Sequence, residues 1–488
     1  RDEVMNSKPE YDLVVVGGGA GGLSVAKGAA RLGAKVAVVE KEKLGGDCLY
    51  HGCVPSKTII RTAKASYETR EAGEFGVLTD NIRVNYSRLR ERLRHIIDSL
   101  AEDDSSERLR ALGIDVFFGS GEFRDSKTFA VDGQRVRGRK FAIATGSGPK
   151  IPDIDGIRDI QCQTNRTIFD LETLPRSMVI IGGGPVGVEM AQAFQRMGCQ
   201  VTLIERKANC LGGEDPEIAQ VLEKQLASDG VRILANHRAI RAEEDGNGQK
   251  RIHLEGPNDQ ETVAKGDEVL VGVGRTANTQ GLGLEAAGVA TDAAGFIVAN
   301  RRLRTSAGHI YAVGDVIGGE MYTHVAEYEA RIVIPNALYG LRFKADYQAA
   351  PHCTYTEPEV AHVGLTAGQA EAQGLDCEVY RHPMSETDRP RIDNRAYGMI
   401  KLVCCGKKLV GASIVGYRAG DLLHEYVLAM AHDLPITRIS RTIHLYPSQG
   451  QATRHAADRY YERHLIKGRM TALLKWIFGL RGNRKGDD

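Results

Sequence analysis

The sequence predicts an α/β fold that uses one βαβ plan twice and closes with a smaller α+β domain. The first copy opens with Tyr11 to Val16, a short β-branched apolar run of the kind that forms a buried strand. Gly17, Gly19 and Gly22 follow at GxGxxG spacing and lead into a helical pattern ending at Arg31. Glycines so placed permit a tight turn, close approach of backbone to a pyrophosphate, and close helix–sheet packing. The strand Lys35 to Val39 then ends at Glu40, where a carboxylate can accept hydrogen bonds from a ribose. The second copy repeats each part: Met178 to Ile181, then Gly182, Gly184 and Gly187, then Val201 to Ile204 ending at Glu205. Each acid stands eighteen residues after the last glycine of its motif, so chance is a poor explanation for either match. Both units read as Rossmann-like nucleotide-binding folds.

Between the copies, residues 67–112 carry a charged helical pattern that reads as a solvated face. Ile114 to Phe118 and Phe123 to Asp132 alternate like an antiparallel meander, and Phe141 to Gly148 is another buried strand ending in a turn. From about Tyr347 the texture changes. Antiparallel strands are expected at Glu359 to Gly364, Glu378 to His382, Tyr397 to Val403 and Leu409 to Val415, then a helix from Leu422 to His432.

The 488 residues suffice for about three domains. A net charge of +1 gives no electrostatic reason to expect nucleic acid as a partner. The opening Arg1 to Glu10 is polar and lacks the apolar core of a signal peptide, and no run of 18 apolar residues exists. Nine cysteines at irregular spacing do not form a secreted disulfide framework, so a reducing cytoplasm is the expected location.

Chemistry concentrates in residues 45–57, Gly-Gly-Asp-Cys-Leu-Tyr-His-Gly-Cys-Val-Pro-Ser-Lys. Cys48 and Cys53 precede the helical pattern Ser56 to Arg70, and a helix start favours a thiolate. The pair can therefore cycle between dithiol and disulfide. Two buried structural cysteines are the bland alternative; a zinc half-site would need a second Cys/His pair at ligand spacing, which is absent nearby. No metal site is expected.

This stretch resembles the active-site signature of the pyridine nucleotide-disulfide oxidoreductases, and the resemblance runs from roughly Tyr11 to Ala457. It departs from the commonest signature at Asp47 (usually Thr), Tyr50 (usually Asn) and His51 (usually Val). The resemblance implies FAD on the first βαβ unit and a nicotinamide coenzyme on the second. It implies an FAD-binding domain from 1–150 and 278–346, an NAD(P)-binding domain from 151–277, and an interface domain from 347–459 through which a homodimer forms. Further cofactor contacts are implied at Gly46, Asp47, the Ala-Thr-Gly segment with Thr145 and Gly146, Gly274, and the second FAD fingerprint with Gly314 and Asp315. Cys53 takes the flavin-facing role and Cys48 the interchange role, while Lys57 pairs with Glu189 to tune the flavin. Glu205 favours NADH, because a carboxylate repels a 2′-phosphate, although Arg206 is the kind of residue NADPH-using relatives employ.

The C-terminal motif departs further. Where lipoamide dehydrogenase and glutathione reductase carry a histidine and a glutamate, aligning on Pro447 gives Tyr446 and Gln451. Tyrosine, with an ordinary pKa near 10, is a poor proton shuttle for disulfide reduction at neutral pH. His444, two residues upstream, is the substitute to examine. Mercuric reductases also carry tyrosine there, and the first expectation is a homodimer reducing a soft metal ion such as Hg(II), with Tyr446 lining the pocket. No cysteine follows Cys405 in this sequence, so the cysteine pair that follows this motif in those enzymes is not expected, nor is their N-terminal Cys-x-x-Cys domain. Reduction or oxidation of a small disulfide or dithiol, and a redox-sensing partner protein, are the alternatives. Cys404 and Cys405 read as an inert pair. The segment 460–488 is basic and amphipathic, with weak contact to an anionic membrane surface as one reading.

Overall fold

A computed structural model describes residues 9–466 and 469–480. The chain divides into two compact units, Arg1–Cys210 with Leu226–Tyr347, and Leu211–Gln225 with Gln348–Asp488. The α/β expectation holds in the first and the α+β expectation in the second.

The first unit is built on a parallel sheet ordered Ile114–Phe118, Val36–Glu40, Tyr11–Val16 and Gln134–Ile143, with Ile310–Ala312 on the far side of Gln134–Ile143. Side chains alternate across a strand, and both faces are buried here. Leu13, Val15, Val36 and Val38 enter one core, together with Leu23 and Val25 of the helix Ala20–Arg31 and Val333 of the helix Thr323–Tyr339. Val14, Val16, Ala37 and Val39 enter the other, with Phe123, Phe129 and Phe141. The first half of Gln134–Ile143 pairs instead with Thr128–Val131, which pairs with Gly121–Asp125, giving the meander.

A second parallel sheet carries Arg232–Leu234, Gln200–Ile204, Ser177–Ile181 and Glu268–Val271. Three antiparallel strands, Arg238–Glu244, Lys250–Glu255 and Glu261–Gly266, contribute Ala242, Ile252, Leu254 and Ala264 to its core. Ser147–Pro149 pairs with Arg275–Ala277 to form a short two-stranded crossing.

The second unit is a five-stranded antiparallel sheet: Pro351–Thr354, Glu359–Gly364, Lys408–Gly416, Met399–Cys405 and Glu378–Pro383. Helices Ala419–Ala431, Ile436–Arg441 and Gln451–Tyr461 cover its apolar face, where Tyr426 is fully buried and donates its hydroxyl to the Thr453 carbonyl. The strand Pro351–Thr354 escaped the sequence reading because it is a short edge strand beginning at proline. One expectation is corrected. Cys404 and Cys405 are not an inert pair: Cys405 forms a disulfide with Cys377, and Cys404 alone is a buried thiol. The register Glu378↔Cys404 sets Cys377 beside Cys405, a proximity that adjacency in sequence does not reveal.

No helix among the described residues is long and apolar enough to cross a membrane, and no group of three or more metal-ligating side chains occurs among them. Lys467, Arg481, Arg484 and Lys485 of the basic segment lie outside the described residues.

Candidate functional site

The first glycine turn is shaped by backbone crowding. Gly17 has φ +107°, and a Cβ there would stand 2.4 Å from the Ala144 carbonyl oxygen. A Cβ on Gly22 would stand 1.9 Å from the Gly17 carbonyl oxygen. Gly19 is different: its Cβ position meets only the Gly46 Cα, at 3.8 Å. The amides opening the helix Ala20–Arg31 have no side-chain cap, so their donors are left for a ligand. Glu40, buried at the strand tip, accepts from the Gly18 amide and from the Glu42 amide, each at 2.7 Å. This cradle fits a dinucleotide pyrophosphate with its ribose at Glu40.

The cysteine loop is laid directly against that turn. Gly19 and Gly45 form a parallel bridge, and a Cβ on Gly46, at φ +64°, would stand 2.6 Å from the Gly19 Cα. Cys48 lies in the short helix Gly46–Tyr50, and Cys53 is the first residue of the helix Cys53–Arg70. Gly52 lets the loop close, since a Cβ there would come within 3.2 Å of the Cys48 Cα. The two thiols hydrogen-bond each other. That bond, aided by the Lys57 ammonium and the Thr323 hydroxyl, holds Cys53 down to about 6 against the opposing effect of burial. Donating the same bond, together with burial and the neighbouring thiolate, pushes Cys48 far above the ordinary thiol range. The pair is therefore polarised: one thiolate, one thiol.

Lys57 stands one turn after Cys53, and its ammonium bonds both Glu189 oxygens, at 2.8 and 3.1 Å. Glu189 is 5% exposed and belongs to the helix Pro185–Met197 of the second copy, so the ion pair ties the two βαβ units together at the cysteines. The second turn repeats the first. Gly182 has φ +110°, a Cβ on Gly187 would stand 1.8 Å from the Gly182 carbonyl oxygen, and nothing lies within 4 Å of a Cβ on Gly184. Glu205 accepts from the Gly183 and Lys207 amides at 2.7 and 2.8 Å, and Arg206 is exposed beside it. The same cradle thus recurs with space for a second dinucleotide.

Around the crossing strands, the Asp47 carboxylate joins a hydrogen-bonded network. It accepts from Arg275 at 2.7 Å and from Asn165 at 3.3 Å. Arg275 also bonds the Ser147 hydroxyl at 2.6 Å and pairs with Asp315 at 3.4 Å, while Ser147 donates to Asp315 at 2.6 Å. Gly314, at φ +75°, donates its amide to the buried Glu329. Thr145 and Asn278 exchange hydrogen bonds at 2.8 and 2.9 Å, and Gly146 and Gly274, both at positive φ, leave open space at their Cβ positions. Arg275, Ser147, Asn165 and Thr323 escaped the sequence reading. Arg275 carried a signal, standing directly after Gly274; Thr323 carried none.

Tyr446, His444 and Gln451 belong to the second unit. Tyr446 is 70% exposed and its hydroxyl bonds Asp388 at 3.2 Å. Both His444 ring nitrogens are engaged, Nδ1 with the Thr442 carbonyl at 2.9 Å and Nε2 with Glu425 at 3.0 Å. Gln451 is buried at the start of its helix. Glu425, absent from the sequence reading, is thus the carboxylate that holds the histidine two residues before Tyr446.

Residues 11–330 match the family described as pyridine nucleotide-disulphide oxidoreductase, and residues 350–457 match its dimerisation domain, which supports a homodimer. Mercuric reductase of Staphylococcus aureus is 33% identical over 454 residues, covering 93% of this chain and 83% of that protein. Dihydrolipoyl dehydrogenase of Bacillus subtilis (strain 168) is also 33% identical, over 472 residues, covering 92% and 97%. Among solved structures, the Cu(II) complex of the HOCl-induced flavoprotein disulfide reductase RclA from Escherichia coli superposes with TM-score 0.83 at 27% identity, covering 93% of this chain and all of that one. The doubled cradle, the polarised cysteines and these matches agree: the chain belongs to the pyridine nucleotide-disulphide oxidoreductase family, FAD-dependent enzymes that use NAD(P)H.

Proposed function

We propose that this enzyme oxidises NADH and delivers two electrons through the Cys48–Cys53 pair to a thiophilic metal ion such as Hg(II). The overall balance is NADH and Hg(II) giving NAD⁺, a proton and Hg(0). FAD, when bound, supplies the two-electron exchange between nicotinamide and sulfur. Residues 1–150 with 278–346 hold it, through Gly17, Gly19, Gly22, Glu40, Gly46, Thr145, Gly146, Gly314 and Asp315. Residues 151–277 take the coenzyme, with Gly274 at the boundary and Glu205 positioned to select a free 2′-hydroxyl. Cys53 is kept as the thiolate facing the flavin site; Cys48 keeps its proton until an acceptor arrives. Binding of a soft cation releases that proton, so the acceptor meets two thiolates. Lys57 balances the charge that collects beside Cys53, and buried Glu189 fixes where the ammonium sits. Residues 347–459 form the two-fold interface, which brings Tyr446 of the partner subunit to the cysteines.

One observation carries the choice of acceptor. The exposed group at the proton-donor position is a phenol bonded to Asp388, and His444 has both nitrogens occupied. A disulfide substrate needs the thiolate leaving its cleaved S–S bond protonated; a thiol-bound metal ion exchanges its thiolate ligands for those of the enzyme with no S–S bond to cleave. The test is NADH oxidation by purified protein with Hg(II) in excess thiol, and then with Cu(II), the ion bound in the RclA structure. Oxidation above the thiol-only blank, lost in Cys48→Ser, is expected. No stimulation by either ion, with turnover of dihydrolipoamide and NAD⁺ instead, would transfer the assignment to the dithiol reading favoured by the equal identity to dihydrolipoyl dehydrogenase.

A further inference from the structure

The helix Gln451–Tyr461 does not end at the edge of the C-terminal sheet. It continues through a π-helical turn, Glu462–Ile466, and leads to a final helix, Arg469–Ile477. The turn is tied down: Arg463 and His464 each pair with Glu378 of the strand Glu378–Pro383, at 3.0 and 2.7 Å, and the His464 ring lies 4.5 Å from that of Tyr460. Among the described residues beyond it, a run of apolar side chains is bare. Leu473, Leu474, Trp476, Ile477, Phe478 and Leu480 are all exposed, Trp476 at 81%. Six large apolar side chains, four on this helix and two just after it, mark a surface that something covers.

Charge selects the occupant. Beyond the anchored turn, residues 467–488 contain six Lys or Arg and two Asp, a local excess of positive charge in a chain whose net charge is only +1. A second copy of the same segment would bring a second excess of positive charge to the same place, which opposes self-association. An anionic bilayer surface supplies both missing parts, negative charge for the lysines and arginines and an apolar boundary for tryptophan and phenylalanine. We propose that the segment from Arg469 to Leu480 docks this enzyme on anionic phospholipid membranes, lying in the headgroup layer rather than crossing it. The anchored turn at Glu378 makes the docking element part of the C-terminal unit, so a dimer presents two of them. Two weak anchors on one particle bind far more tightly than one.

Trp476 is the only tryptophan in the chain, so its emission reports on this helix alone. The holoenzyme is mixed with vesicles of equal parts phosphatidylcholine and phosphatidylglycerol, or of phosphatidylcholine alone. A blue shift and co-sedimentation are expected with the anionic vesicles only, weakening by roughly tenfold or more between low and high salt as the charges are screened. The double variant Trp476→Glu, Phe478→Glu is expected to lose co-sedimentation by at least about tenfold while retaining its FAD and NADH oxidation. Three results would overturn the proposal: no shift with anionic vesicles, equal binding to both vesicle types, or emission already blue-shifted without lipid in a concentration-dependent way. The last would mean that a second copy covers the helix.

Discussion

The two βαβ copies are nearly the same object, and what separates them is what lies on top. In each, the last glycine of the motif is pressed against the first, with Cβ positions 1.9 and 1.8 Å from the carbonyl oxygens of Gly17 and Gly182. In each, the terminal acid accepts a 2.7 Å bond from the amide of the second glycine, Gly18 or Gly183. Yet Gly19 is bridged by Gly45 of the cysteine loop, whereas Gly184 has nothing within 4 Å of its Cβ position. Glu40 is buried and Glu205 is half-buried. The covered cradle suits a cofactor that stays, and the open cradle suits a coenzyme that exchanges on every turnover. One local plan thus serves two roles through its neighbours.

The largest effect comes from filling the cradles. Gly22→Ala and Gly187→Ala each force a Cβ into backbone, at a cost of about 1–3 kcal/mol or more. Gly22→Ala is expected to yield protein that loses most of its FAD on gel filtration, read from the flavin-to-protein absorbance ratio. Gly187→Ala is expected to retain FAD and raise the KM for the nicotinamide coenzyme by roughly tenfold or more. Identical losses of FAD in both would break the comparison. Next come the acids. Glu205→Gln removes the charge that opposes a 2′-phosphate and is expected to shrink the NADH-to-NADPH ratio of kcat/KM by about tenfold. Glu40→Gln should leave that ratio untouched and weaken FAD retention instead. The smallest effect is at the pair that joins the copies. Glu189→Gln leaves Lys57 without its full partner, but Lys57 is 35% exposed, so only about 1 kcal/mol of holoenzyme stability is expected to go, measured by the denaturant midpoint.

Much of this was legible in the sequence because glycine spacing and β-branched runs act locally. The turns at Gly17 and Gly182, the strands feeding two cores, and the antiparallel C-terminal strands arise from patterns within about twenty residues. The cysteine loop was legible for the same reason. Contacts between distant residues escaped. Arg275 reaches Asp47 across 228 positions, and through it Asp315 and Asp47 share one guanidinium. Glu425, on the helix Ala419–Ala431, meets His444 in the loop after Ile436–Arg441, and Cys377 meets Cys405 through strand register. Asp47 illustrates the limit well: its place in the cysteine motif is read from sequence, but its ion pair with Arg275 is not.

The polarised thiol pair is tested most directly by following ultraviolet thiolate absorbance of the reduced protein against pH, in the parent, Cys53→Ser and Cys48→Ala forms. Cys199 and Cys404 are pushed up to about 12 by burial and stay silent over the range. Because Cys53 is shifted downward, its thiolate is present above a midpoint near 6 and is protonated as pH falls through it. One thiolate ionising near 6 is expected in the parent, absent in Cys53→Ser, and displaced toward the ordinary thiol range in Cys48→Ala, where the donated hydrogen bond is gone. A parent in which both sulfurs ionise together at the ordinary thiol value, or in which the low midpoint survives Cys53→Ser, would contradict the account.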